Sequence, residues 1–127
     1  MDNAQKKILV VEDDQFLREF YQELLQAEGF FVDVAADGEI ALAKIQNNEY
    51  NLVLLDIMPP KKDGVQVLRD LKARGPKSPN MTIVVLTNLG QDLVIKECFN
   101  LGADGYLIKS ALNPDQVLTE VKSYLNK

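Results

Sequence analysis

Residues Asn51 to Gly64 read NLVLLDIMPPKKDG, an apolar run that ends on the charge of Asp56 shortly before two prolines. Leu52–Leu55 is short and continuously apolar, which is typical of a strand buried on both faces of a parallel sheet. An aspartate after such a strand can be a simple turn residue. It can also mark a site, because ligands of open α/β sheets bind beside the carboxyl ends of the strands. The rest of the sequence distinguishes these two interpretations.

Short apolar runs rich in β-branched residues recur along the chain and predict further strands. They lie at Ile8–Val11 and Ile83–Leu86, with a shorter run at Tyr106–Ile108. Each is nearly continuous, so we expect burial on both faces. Phe31–Val34 is interrupted by Asp33, so one of its faces is expected to reach solvent, as at a sheet edge.

Apolar residues at helical spacing lie after each of these runs. Gly29 closes the first stripe as a C-cap, whereas Asn113 and Pro114 open the last as N-cap and first helical residue. The five stripes are Leu17, Phe20, Tyr21, Leu24 and Leu25; Ala41, Leu42 and Ile45; Leu68 and Leu71; Val94, Cys98 and Leu101; Val117, Leu118, Val121, Tyr124 and Leu125. Five strand–helix pairs predict an α/β fold with helices on both faces of a parallel sheet.

Length and composition limit the classes of function. The chain has 127 residues, enough for one domain with a core, so we expect a single domain over residues 1–127. A net charge of −5 gives no reason to expect direct binding of nucleic acid or of an anionic membrane. No apolar run approaches the roughly 20 residues of a membrane helix, and residues 1–7 lack the apolar segment of a signal peptide. The one cysteine fits a reducing compartment, so we expect a cytoplasmic protein.

Polar side chains follow four of the predicted strands, at the point where each strand ends. They are Glu12, Asp13 and Asp14 after the first strand, Asp56 after the third, Thr87 after the fourth, and Lys109 after the fifth. Because the carboxyl ends of parallel strands share one edge of the sheet, these groups should converge. A turn explains one such residue well, but it does not explain why polar residues follow four of the strands.

A cluster of carboxylates needs a counter-ion. Two carboxylates about 4 Å apart repel by roughly 4 kcal/mol at an effective dielectric constant near 20. The chain has no histidine, so oxygen ligands predict a hard cation, and Mg²⁺ fits best. Lys109 and Thr87 offer the positive charge and the donor that a phosphoryl oxygen needs. Asp56 is then the candidate nucleophile of aspartyl-phosphate chemistry.

At these residues the chain resembles the receiver domains of bacterial two-component response regulators, over essentially its whole length. The motifs that carry the resemblance are ILVVEDD at Ile8–Asp14, LVLLDIMPPKKDG at Leu52–Gly64, VVLT at Val84–Thr87, and GADGYLIKS at Gly102–Ser110. The resemblance implies a flavodoxin-like fold with five parallel strands in the order 2-1-3-4-5. It also implies a signalling switch that catalyses only its own phosphorylation and dephosphorylation.

The resemblance assigns a role to each site residue. Asp56 is implied as the phospho-acceptor, and the donor as a phosphohistidine on a partner histidine kinase or phosphotransfer protein. The implied Mg²⁺ ligands are the carboxylates of Glu12, Asp13 and Asp56 and the backbone carbonyl of Met58. Thr87 and Lys109 are implied to contact the phosphoryl group, and Tyr106 to be the aromatic switch residue. Phosphorylation would then change the binding of a downstream protein or a second copy at the face formed by the fourth helix, fifth strand and fifth helix.

Several of these residues also have simpler interpretations. Asp14 is expected to be the N-cap of the first helix rather than a metal ligand. Asp63 and Gly64 are explained by a turn, and Cys98 by its apolar stripe. Tyr106 can be either the switch residue or a plain exposed aromatic on an edge strand.

The sequence departs from the family pattern at three places. Ser110 stands where proline usually follows the active-site lysine, so we expect a trans bond there, and the placement of Lys109 is open. Pro59 replaces a large apolar residue and should stiffen the loop at Met58. Met58 and Leu89, both apolar, occupy the positions that tune hydrolysis in the family.

The same residues also bear on other classes of function. An aspartyl-nucleophile phosphatase usually needs a second acid two residues after the nucleophile, where this chain has Met58. A P-loop NTPase needs GxxxxGK[ST], which is absent. A binding module that keeps the fold without phosphorylation stays possible, although the complete set of acids, Thr87 and Lys109 argues against it.

Overall fold

The computed structural model describes residues 6–57, 64–75, 80–88, 92–111 and 113–126. Five strands alternate with five α-helices, which confirms the predicted α/β class. In chain order they are β1 (Lys7–Val11), α1 (Gln15–Ala27), β2 (Phe31–Ala35), α2 (Gly38–Asn47), β3 (Leu52–Asp56), α3 (Gly64–Arg74), β4 (Thr82–Thr87), α4 (Asp92–Asn100), β5 (Gly105–Ile108) and α5 (Pro114–Leu125). A 3-10 turn over Lys109–Ala111 leads from β5 toward α5.

The strands form one parallel sheet in the order β2-β1-β3-β4-β5, as the resemblance implied. The chain passes from β1 outward to β2 and then returns across β1 to form β3. The strand order therefore reverses at β1 and β3, and a crevice opens beside their carboxyl ends. Glu12 and Asp56 lie at these two ends.

The two faces of the sheet are covered by different helices because successive side chains of a strand point in opposite directions. In β1, Leu9 and Val11 pack in the core formed with α2, α3 and α4. Ile8 and Val10 pack in the other core, formed with α1 and α5. All four are buried, which explains why the run reads as continuously apolar.

The helix ends follow the predicted capping chemistry. The Asp14 carboxylate accepts a hydrogen bond from the backbone N–H of Leu17, which confirms Asp14 as the N-cap of α1. Asn113 and Gln116 form a capping box at the start of α5, with Pro114 in its first turn. Gly29 has a φ of 94°, the left-handed conformation that commonly ends a helix.

Two expectations from the sequence are wrong. Asp56 and Thr87 are the last residues of β3 and β4, within the sheet rather than beyond it. The first helical stripe does lie on α1, where Tyr21 and Leu25 are buried, whereas Leu17 and Phe20 are 37% and 39% exposed.

The second wrong expectation concerns β5, which is not buried on both faces but is an edge strand with one partly exposed face. Tyr106 is 42% exposed, as its alternative interpretation allowed. Leu107 points the other way and is buried against α1 and α5. Four residues with one large exposed side chain are too short a segment to show the alternation in sequence.

The opposite edge strand, β2, carries the polar residue that interrupts its sequence. Lys44 Nζ lies 2.8 Å from Asp33 Oδ1, and the Tyr50 hydroxyl donates to Asp33 Oδ2 at 2.7 Å. Partial burial acts to raise the pKa of Asp33, but the bonds from Lys44 and Tyr50 outweigh it and lower that pKa below its usual value. Asp33 therefore attaches α2 to the sheet edge.

Within the described residues, we found no helix long and apolar enough to cross a membrane.

Candidate functional site

Three carboxylates meet at the carboxyl ends of β1 and β3. Glu12, Asp13 and Asp56 each place an oxygen within 4.8 Å of the others. Glu12 is 0% exposed and Asp56 is 2% exposed, whereas Asp13 is exposed to solvent. The site is thus a buried pair of acids with a third acid at its opening.

Lys109 reaches these acids from the end of β5. Its Nζ lies 2.8 Å from Glu12 Oε1 and 3.1 Å from Asp56 Oδ2, and its side chain is only 16% exposed. No peptide bond is cis in the described segments, so Lys109 is joined to Ser110 by a trans bond. The lysine therefore reaches the site without the proline that usually follows it in the family.

The electrostatics of the site depend on burial. Desolvation is the main cause that raises the pKa of Glu12 from 4.5 to about 7, and the neighbouring Asp56 raises it further. Lys109 and the Asp14 backbone N–H act in the opposite direction but do not cancel the shift. Burial acts to lower the pKa of Lys109, yet the two carboxylates outweigh it and raise that pKa, so the lysine stays charged.

A divalent cation fits this donor set. Glu12 Oε1 is buried and forms an ion pair with Lys109, but among the described residues it has no hydrogen-bond partner. When all groups are ionised, three carboxylates face one ammonium, so negative charge is in excess. Oxygen ligands at an exposed opening suit a hard ion such as Mg²⁺, which keeps several of its waters. Met58, the fourth expected ligand, lies outside the described residues.

The two expected switch residues, Thr87 and Tyr106, lie at the end of β4 and on β5. Thr87 is buried, and its hydroxyl donates to the backbone carbonyl of Asn88 at 3.3 Å. Tyr106 points outward and packs edge to face on Phe99, with 6.2 Å between the ring centroids. Thr87 is thus a buried hydroxyl, whereas the Tyr106 ring is partly exposed to solvent.

Arg18 is a site residue that the sequence analysis missed. Its guanidinium Nη1 donates to the backbone carbonyls of Glu12 and Asp13, the residues that carry two of the acids. A positive charge near the N-terminus of a helix opposes the helix dipole. That unfavourable position in α1 was the one signal that the sequence offered.

The comparison with protein families identifies the family of the chain. The family model described as "Response regulator receiver domain" matches residues 8–122. The chain belongs to this family. Receiver domains are signalling switches of two-component systems rather than conventional enzymes, and they interact with kinases and downstream effectors.

Curated relatives of this receiver domain are transcriptional regulatory proteins. It is 38% identical to CpxR of Klebsiella pneumoniae over 121 residues, which cover 95% of this chain and 50% of CpxR. It is 34% identical to ResD of Bacillus subtilis, again over 95% of this chain and 48% of ResD. The receiver domain thus spans about half the length of these relatives.

Solved receiver domains have the same fold. A CheY-like receiver domain from Methanospirillum hungatei is 34% identical, with a TM-score of 0.85 over 95% of this chain and 94% of that one. TrrA from Thermotoga maritima, solved in complex with Mg²⁺ and BeF, is also 34% identical, with a TM-score of 0.79 over 94% and 98% of the two chains.

Proposed function

We propose that Asp56 accepts a phosphoryl group in a Mg²⁺-dependent reaction, from a phosphohistidine on a partner histidine kinase or phosphotransfer protein. The observation that carries the proposal is the position of Asp56, which is buried at the end of β3 beside two further acids and 3.1 Å from the Lys109 ammonium. We also propose that residues 1–127 form one receiver domain. We further propose that the protein is located in the cytoplasm.

The transfer forms one bond and breaks one. A carboxylate oxygen of Asp56 attacks the phosphorus, and the bond from phosphorus to the histidine nitrogen of the donor breaks, which leaves the electron pair on the imidazole. Lys109 offsets the charge that the product places on Asp56. Glu12, Asp13 and Asp56, with the Met58 carbonyl, would hold Mg²⁺, which when bound neutralises phosphoryl oxygens.

The same site supports a switch. An aspartyl phosphate would bring acceptor oxygens toward Thr87, whose hydroxyl now donates to the neighbouring Asn88 carbonyl. Rotation of Thr87 toward the phosphoryl group would vacate space that Tyr106 can enter. Phosphorylation would thereby shift a pre-existing equilibrium between outward and inward Tyr106.

The output surface in this proposal is the face formed by α4, β5 and α5. Leu93, Phe99 and Tyr106 are large apolar residues exposed on α4 and β5. We propose that a downstream protein or a second copy of the chain binds there, and that this domain itself contacts neither nucleic acid nor membrane. The net charge of −5 supports the last point.

The first experiment is the intact mass of the protein after incubation with acetyl phosphate and Mg²⁺. We expect the parent to gain one phosphoryl group, and Asp56→Asn to gain none because an amide is not a nucleophile here. Excess EDTA should also prevent the gain by the parent. A phosphoryl group on Asp56→Asn, or none on a folded parent that binds Mg²⁺ and is offered a phosphohistidine donor, would contradict the proposal.

A slow loss of the phosphoryl group is a second expectation. Met58 and Leu89 lie outside the described residues, but neither side chain can orient the attacking water. Met58→Asn combined with Leu89→Glu should therefore speed the decay of the phosphorylated form, followed by intact mass after removal of the donor. An unchanged decay rate in the double variant would show that other groups control hydrolysis.

A further inference from the structure

Arg18 connects helix α1 to the loop that carries two of the acids. The side chain is half-buried, and its Nη1 atom donates to the Glu12 carbonyl at 2.9 Å and to the Asp13 carbonyl at 3.3 Å. One nitrogen thus restrains two successive peptide groups. These are the peptide groups on either side of the Asp13 Cα atom.

The other bonds that hold this loop lie at Glu12 and Asp14, on either side of Asp13. The Glu12 backbone N–H donates to the Ala35 carbonyl, and Glu12 Oε2 accepts from the Asp14 backbone N–H. Asp14 in turn accepts from the backbone N–H groups of Leu17 and Arg18. For the exposed Asp13 carboxylate, we found no hydrogen bond within the described part of the chain. Its direction is therefore set by the backbone, and Arg18 restrains that backbone on its carbonyl side.

The charge of Arg18 and its bonds to the backbone predict opposite effects on metal binding. A guanidinium close to the acids repels an incoming cation, so its removal should strengthen metal binding if only Coulomb forces act. A role in positioning predicts weaker binding after its removal, because the freed loop must be ordered again before Asp13 can act as a ligand. The sign of the change separates the two accounts.

We infer that Arg18 is a positioning residue for the metal site, which holds the Glu12–Asp13 backbone so that the Asp13 carboxylate is directed at the cation. The inference rests on the Mg²⁺ part of the proposed function. Residues that orient metal ligands typically contribute about 10-fold to 100-fold in metal affinity. For an exposed ligand on a short loop we expect the lower end of that range.

The test is the dissociation constant of Mg²⁺, measured by calorimetry at pH 8 on the full chain. Arg18→Gln should weaken Mg²⁺ binding by about 10-fold. Arg18→Lys keeps the charge but loses the planar fork, so it should restore only part of the affinity. Arg69→Gln is the matched control, since Arg69 pairs with Glu97 between α3 and α4, and it should bind Mg²⁺ like the parent or slightly more tightly.

A second readout does not involve the metal. In EDTA, amide hydrogen exchange at Asp13 and Asp14 should be faster in Arg18→Gln than in the parent, while the β3 amides should be unchanged. Equal or tighter Mg²⁺ binding by Arg18→Gln would overturn the inference and leave the proposed function intact. No Mg²⁺ binding by the parent would refute the metal part of the proposed function and this inference with it.

Discussion

Glu12→Gln is expected to raise the free energy of unfolding of the metal-free domain by about 3 kcal/mol at pH 8, and to change it little at pH 4. The reason is the burial of a carboxylate that is 0% exposed. Burial raises its pKa in the native state to about 7, against 4.5 for the unperturbed group, even though Lys109 pairs with it. Glutamine has nearly the shape of the protonated acid and carries no charge at any pH.

The pH window follows from these two values. The native state holds the Glu12 proton more tightly than the unfolded chain does, so protonation stabilises the fold. The contribution of this group is fully present below about pH 4.5 and is lost as the pH rises through about 7. The parent should therefore lose stability across this window relative to Glu12→Gln.

Urea unfolding in EDTA at several pH values between 4 and 8 measures the effect. Glu19→Gln, which neutralises an exposed acid of α1, is the matched control and should shift stability by less than about 1 kcal/mol. Lys109→Met should act in the opposite direction and destabilise by about 3 kcal/mol at pH 8, because two buried carboxylates lose their cation. A destabilised Glu12→Gln at pH 8 would mean that the pairing with Lys109 outweighs the cost of burial.

Gly64→Ala is expected to destabilise the domain by about 3 kcal/mol. Gly64 begins α3, and a Cβ atom there would lie 2.7 Å from Ile57 Cα and 2.9 Å from the Asp56 carbonyl oxygen. Both neighbours are backbone atoms, so the end of β3 or the start of α3 must move. Because that backbone carries Asp56, phosphorylation by acetyl phosphate should also slow.

Gly105→Ala is the informative comparison for Gly64→Ala. A Cβ atom at Gly105 would also clash, but with the phenol end of Tyr124, a half-buried side chain near the end of α5 that can rotate. We expect a loss of only about 1 kcal/mol in chemical denaturation. Equal losses of stability in the two variants would show that the backbone where α3 contacts β3 adjusts as easily as the Tyr124 side chain.

The sequence by itself determined the class of fold and most of the site. Short continuous apolar runs indicate strands, and capping residues such as Asp14 and Asn113 satisfy helix ends locally, so these features are visible without coordinates. Parallel topology then brings Glu12, Asp56 and Lys109 to one edge of the sheet. Asp33 marked β2 as an edge strand, but the pattern could not show that β5 is the other edge, since β5 and β3 both read as short apolar runs.

Only the tertiary structure decided the distances, the burial and the pKa values of these residues. Lys109 and Asp56 are 53 positions apart in the chain, and only the packing of the sheet sets the 3.1 Å between them. The burial of Glu12, its raised pKa and the bonds from Arg18 to the Glu12 and Asp13 carbonyls likewise depend on several elements at once. The local sequence shows which chemical groups a segment carries. The distances between these groups, their desolvation and the restraint of their backbone arise only when distant segments pack together.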